Sequence, residues 1–179
     1  FRRVLFRSTG GVTLAGSTQL MQGQTAGLTF KGVNTYTGPT TINANTILRL
    51  EGSGSVAASS KIINLGILDI GGVTTGASIT SLSGNGQVYL SSPATNAVDT
   101  SSYPNTLIPV AAGAAKSLTI TNASDTFSGV ISGTGALTVA AGTQVLTGTN
   151  TYTGDTTIDS GATLKIGNGG STGALSATT

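Results

Sequence analysis

Apolar residues in this 179-residue chain come in short alternating bursts, three to five positions long, that end wherever a turn-forming residue intervenes. The clearest are Ile62-Ile63-Asn64-Leu65, Ile67-Leu68-Asp69-Ile70, Val88-Tyr89-Leu90, Leu118-Thr119-Ile120, Leu137-Thr138-Val139 and Leu164-Lys165-Ile166. A period of two, β-branched side chains and flanking Gly, Asn, Asp or Ser predict a short strand at each. No stretch keeps helical periodicity for the ~10 residues a helix needs; Val110 to Lys116 comes nearest and is too short.

The bursts belong to a repeat. Asn34-Thr35-Tyr36-Thr37-Gly38 returns as Asn150-Thr151-Tyr152-Thr153-Gly154, and the match continues ungapped at the same offset. Thr40, Thr41 and Ile42 meet Thr156, Thr157 and Ile158, and Leu48-Arg49-Leu50 meets Leu164-Lys165-Ile166. A degenerate third copy, Asp125-Thr126-Phe127-Ser128-Gly129, places Gly129 where the other two have Gly38 and Gly154. A second signature, Ser83-Gly84-Asn85-Gly86-Gln87-Val88-Tyr89-Leu90, returns as Ser132-Gly133-Thr134-Gly135-Ala136-Leu137-Thr138-Val139.

These offsets lie near multiples of about 23 to 25 residues, a spacing found in stacked-coil architectures, and read as one coil of backbone per period. A short strand with one apolar face cannot bury itself, so the coils must stack around a shared interior. The expected fold is therefore an all-β solenoid of roughly seven coils over residues 9–179. At ~4.8 Å per rung it forms a rod about 33 Å long. A β-sandwich also has many short strands, but it does not repeat one motif at multiples of one spacing. Gly at a fixed place in each coil fits a corner needing positive φ or close backbone approach. Stacked Thr and Asn can form side-chain ladders between coils.

A chain with 27 Gly and only 8% charged residues could be disordered, but the apolar pattern argues for a packed interior. Residues 1–8, Phe1-Arg2-Arg3-Val4-Leu5-Phe6-Arg7-Ser8, read codon for codon as a short-read sequencing adapter at the end of an assembled environmental sequence, and are set apart from the fold. Without Arg2, Arg3 and Arg7, five basic residues face six acidic ones, and the net charge changes from +2 to −1. Lys31, Arg49, Lys61, Lys116 and Lys165 are scattered singly, so no cluster offers the phosphate contacts that nucleic-acid binding requires. Cysteine and histidine are absent, which removes disulfides, thiolate metal sites and the commonest general base. No apolar run approaches the ~18 residues of a membrane helix, and the strand bursts are shorter than the ~9 to 11 residues of a membrane-barrel strand.

Residues 122–170 carry a specific resemblance. Ser132-Gly133-Thr134-Gly135-Ala136-Leu137, then Leu146 to Ile158 around the Asn150 motif, then Gly161-Ala162-Thr163-Leu164-Lys165-Ile166-Gly167, resembles the autotransporter-associated β-strand repeat of bacterial type V secretion passengers. Residues 28–52 resemble a second copy, departing at Pro39 and at Asn45, where the later copy has Gly161. Residues 91–109, with Pro93 and Pro104, match poorly and are expected to be a loop insertion off the rod.

The resemblance implies a right-handed parallel β-helix, secreted through a C-terminal outer-membrane barrel of the full protein and displayed on the cell surface. Its expected partners are the neighbouring coils, that barrel and, in an adhesin, a host surface. No cofactor is expected. Nearest-neighbour stacking would let folding propagate coil by coil and bias transport outward.

Three functions follow as expectations: a structural stalk supporting passenger folding and secretion, an adhesin acting through residues 91–109 or a lateral face, and a carbohydrate-active enzyme. The stalk is preferred, without catalysis. A glycosidase needs two carboxylates facing one groove; of Glu51, Asp69, Asp99, Asp125, Asp155 and Asp159, the pair Asp155 and Asp159 is the most tempting, but turn-corner acids are usually solvated. The Gly-Gly-x-Gly-x-Asp calcium repeat is absent, since Gly169-Gly170 lacks the acid. Tyr36, Phe127 and Tyr152 share one repeat position, where packing at a coil corner is expected over stacking on a sugar.

Overall fold

The computed structural model describes residues 9–15, 26–93, 95–99, 106–110, 113–169 and 171–175, so the adapter-like residues 1–8 fall outside it. Among the described residues all regular structure is β. The chain winds as a parallel solenoid with three faces. The first face stacks seven strands in parallel: β1 (Val12–Leu14), β3 (Thr40–Ile42), β5 (Ile62–Asn64), β8 (Leu82–Gly84), β13 (Thr126–Phe127), β16 (Thr143–Leu146) and β18 (Thr163–Ile166). The second stacks five: β2 (Ala26–Phe30), β4 (Thr46–Gly52), β6 (Ile67–Val73), β9 (Gln87–Tyr89) and β14 (Val130–Ser132). The third stacks β7 (Gly76–Ile79), β12 (Ser117–Ile120), β15 (Leu137–Val139) and β17 (Thr156–Ile158). Among the described residues the antiparallel hairpin β10 (Thr95–Asp99) and β11 (Thr106–Val110) pairs only with itself.

Every strand predicted from alternation is present, because each presents one apolar row that only stacking can bury. Leu48, Leu68, Val88 and Ile131 form one inward column across the second face, all fully buried. Ile79, Ile120 and Val139 form another on the third face, headed at the last described turn by Ile158, which is 49% exposed. At roughly 1.5–3 kcal/mol per buried aliphatic side chain, these columns are the main force holding successive turns together.

The seven rungs of the first face delimit about six turns, one fewer than the roughly seven coils expected. The reading of one coil per motif period is also corrected. Apart from the first turn, where Val12 pairs with Thr40, 28 residues on, the regular turns are shorter than the motif spacing: Arg49 is in register with Asp69, 20 residues on. Asp125 accepts a bond from Gln144, 19 residues on in the next turn. The turn that joins Gly84 to Phe127 is about twice as long because it contains the hairpin. The offset from Gly129 to Gly154 is thus one turn plus one face, and that from Gly84 to Gly133 is the hairpin-bearing turn plus one face. The recurring motif accordingly moves around the rod, preceding β3 on the first face, β14 on the second and β17 on the third. It marks corners rather than turns.

One departure between the two long copies is explained by backbone conformation. Asn45 is left-handed (φ 61°), as is its counterpart Gly161 (φ 83°). Asn is among the few residues that tolerate this region. Replacing Asn45 with Gly is expected to leave stability unchanged or slightly raised. Replacing it with Val should cost about 1–2 kcal/mol, measured as a lowered urea midpoint.

Candidate functional site

The Asn-Thr-Tyr-Thr-Gly segments are extended, so their side chains alternate in and out. Asn34 and Tyr36 point inward while Thr35 and Thr37 are exposed; Asn150 and Tyr152 repeat this, with Thr151 and Thr153 exposed. In the degenerate copy Thr126 and Ser128 are exposed and Phe127 is buried. Gly38 and Gly154 turn the chain into the next face, and Gly129 is buried in a corner.

Each buried Asn pins one turn to the next. Asn34 Nδ2 donates to Gly32 O at 3.1 Å within its own turn and to Ser55 O at 3.1 Å in the following one. Asn150 Nδ2 makes the equivalent bonds to Gly148 O (3.1 Å) and Ala174 O (3.0 Å), and its Oδ1 accepts from the buried Ile131 N–H at 3.0 Å in the preceding turn. One amide side chain therefore bridges three turns. Hydrogen bonds between stacked side chains, expected as ladders, are mostly replaced by hydroxyl-to-carbonyl bonds between turns, such as Thr80 Oγ1 to Ser59 O at 2.6 Å and Thr121 Oγ1 to Ile79 O at 3.2 Å.

Each tyrosine hydroxyl meets a threonine four residues on: Tyr36 OH and Thr40 Oγ1 are 2.5 Å apart, Tyr152 OH and Thr156 Oγ1 2.6 Å. Thr40 donates onward to Ser59 Oγ at 2.9 Å, which donates to Gly38 O at 2.9 Å. In the third copy the ring is Phe127, and the corresponding partner position is the buried Ile131, so the hydroxyl is lost from both sides together. This partnership was visible in the sequence as the matched Thr40 and Thr156. With 0–3% exposure, Tyr36, Phe127 and Tyr152 cannot stack on a ligand; they fill corners.

Burial pushes both phenols above their ordinary value of 10.0, with the threonine hydrogen bonds acting the other way. The folded state thus holds these protons more tightly than the unfolded chain does. The stability this provides is complete below pH ~10 and is lost as pH rises through the raised folded values. Urea midpoints should be flat below that point and fall above it. Changing both tyrosines to Phe should remove most of the fall; an unchanged alkaline decline would place its origin elsewhere.

A second cluster lies on the outer surface of the second face. Thr29, Arg49, Asp69, Tyr89 and Ser132 form one column across five turns. Asp69 is 2% exposed yet satisfied: Oδ2 accepts from Arg49 Nε at 3.1 Å, and Oδ1 from Gly71 N at 2.9 Å and Ser92 Oγ at 2.8 Å. A bulge in the β4–β6 pairing brings Gly71 beneath Ser92, where a Cβ would strike the Ser92 backbone. Asp69 therefore ties the base of the hairpin segment to the rod. In the sequence it was only one acid among six, because the partner that explains it lies 23 residues away.

Beside this tie opens a groove of about 750 Å³, lined by Ile47, Arg49, Glu51, Ile67, Tyr89 and Pro93 among others. Glu51 is paired with Lys31 at 3.0 Å. Asp155 and Asp159 lie elsewhere, both exposed on the last described turn. Among the described residues no group of three or more acids could hold a metal ion.

Three stacked faces, apolar columns and repeated amide and hydroxyl corners define a parallel β-solenoid repeat protein. Residues 24–46 and 141–166 match the passenger-associated-transport-repeat family, each segment spanning one complete Asn-Thr-Tyr-Thr-Gly corner. Those two segments carry the passenger-associated-transport repeat. No curated protein and no solved structure matches it.

Proposed function

We propose that this chain is a rod segment of a bacterial autotransporter passenger, secreted through the outer membrane and displayed at the cell surface, where turn-by-turn stacking supports passenger folding and export. The observation that carries this reading is the inter-turn pinning by Asn34 and Asn150 at the two corners that match the passenger repeat. A newly emerged turn would find its partners on the preceding one, and each rung added would oppose backsliding. The same reading assigns the chain no catalysis, consistent with pairing of Glu51 to Lys31 and Asp69 to Arg49, and with the solvated positions of Asp155 and Asp159.

The test is to place residues 9–179 between a signal peptide and an outer-membrane barrel and to measure protease-accessible passenger on intact cells. Display should drop sharply when Gly129 and Gly154 are both changed to Val. Undiminished display would refute a role in transport. A second reading, as an adhesin, is favoured by the open groove beside the hairpin base.

A further inference from the structure

We propose that the groove on the outer surface of the second face binds an uncharged saccharide chain, with Tyr89 as its stacking platform. This inference rests on the adhesin reading and not on the rod reading. Four observations converge on it. The charges in and beside the groove are internally compensated, Arg49 by Asp69 at 3.1 Å and Glu51 by Lys31 at 3.0 Å, so there is no net field to select an ion. The floor is partly apolar: Ile47 and Ile67 stack in register, half-buried, on the outward side of β4 and β6, where solenoid stacking does not need them.

Third, Tyr89 is half-buried on the outside of the rod, unlike Tyr36 and Tyr152, and its hydroxyl is held by Gln87 Oε1 at 2.5 Å. A ring held at its hydroxyl and lining an open groove offers a platform on which a pyranose can stack. Fourth, the polar groups at the margin alternate in kind. The guanidinium of Arg49 is bound at Nε by Asp69, while its side chain is 44% exposed, which leaves its terminal amino groups as donors among the described residues. The Glu51 carboxylate, 36% exposed, supplies acceptors. Sugar hydroxyls both donate and accept, and a surface of mixed donors and acceptors over an apolar floor matches them better than it matches a carboxylate or an ammonium. The volume is in the range of small-ligand sites, and because the groove is open it suits an internal stretch of a chain.

The probes are neutral hexasaccharides of glucose, mannose, xylose and N-acetylglucosamine, each tested with the full 179-residue chain by saturation-transfer NMR and calorimetry, with polygalacturonate as the acidic comparator. The expected result is binding of at least one neutral oligomer. It should weaken about tenfold or more in Tyr89→Ala, with Arg49→Lys as an independent second variant that keeps a cation for Asp69 while removing the outward amino groups, and with unchanged thermal melts as the control. Binding to none of them, binding only to polygalacturonate, or equal binding by wild type and both variants would overturn the proposal. Each of these outcomes would leave the display assay for the rod unaffected.

Discussion

Replacing Gly129 with Val is expected to abolish the fold of the rod's central turns, the largest effect of any single substitution considered. Gly66, Gly86, Gly129 and Gly148 form a column at one corner. A Cβ on Gly129 would meet the Gly86 carbonyl oxygen and approach the Phe127 ring at 2.5 Å. Backbone cannot yield as a flexible side chain can, so the cost should reach or exceed the ~3 kcal/mol upper end of ordinary overpacking. Because each turn stacks on its immediate neighbours, the damage should spread as separation of the turns on either side rather than as a local dent. Hydrogen exchange should show protection lost first in β9, β13 and β14. A melting temperature within a few degrees of wild type would contradict the close-approach account.

The second large effect is expected at Asn150. Changing it to Ala removes three hydrogen bonds and leaves the buried Ile131 N–H without its side-chain acceptor. An orphaned buried donor costs about 1–3 kcal/mol, and lost bonds add to that, so a total of about 3 kcal/mol is expected. Asn150→Asp separates the contributions, since it keeps an acceptor for Ile131 but loses the donors to Gly148 and Ala174 while burying a charge. If Ala were tolerated with less than ~1 kcal/mol lost, water would be replacing the amide, and the corner would be a filler rather than a pin.

The strand positions and the burial of one side chain in two were legible because alternation is a local property: Ile62, Leu68, Val88, Leu118 and Leu137 all face inward as their spacing predicts. The turn length was not. A three-faced solenoid uses similar strand-corner grammar on every face, so Asn34 and Asn150 look like equivalents one stack apart. In fact five turns carry Thr40 to Leu164, whereas its sequence match is Thr156 on another face. Corner identity is written locally, whereas the count of residues between rungs depends on how far each face runs and on the hairpin in one turn. Asp69 was illegible for a related reason. A lone acid in a strand reads as solvated, and only the bulge that lifts Gly71 under Ser92 makes it a tie.

Short turns, such as those joining Thr126 to Val145 and Ile62 to Leu82, set which strands stack, and the longer spacing from Gly129 to Gly154 does not. The chain has no cysteine, so pairwise cysteine substitution reads this out without background. Thr138→Cys combined with Thr157→Cys joins positions in register on β15 and β17. Their separation of one rung, ~4.8 Å, lies within disulfide reach. Thr138→Cys combined with Thr163→Cys joins positions that the motif spacing would stack but that lie on different faces. Mild oxidation should cross-link the first pair rapidly and the second hardly at all. Preferential cross-linking of the second pair would mean that the motif spacing is the turn and that the three-faced register is wrong.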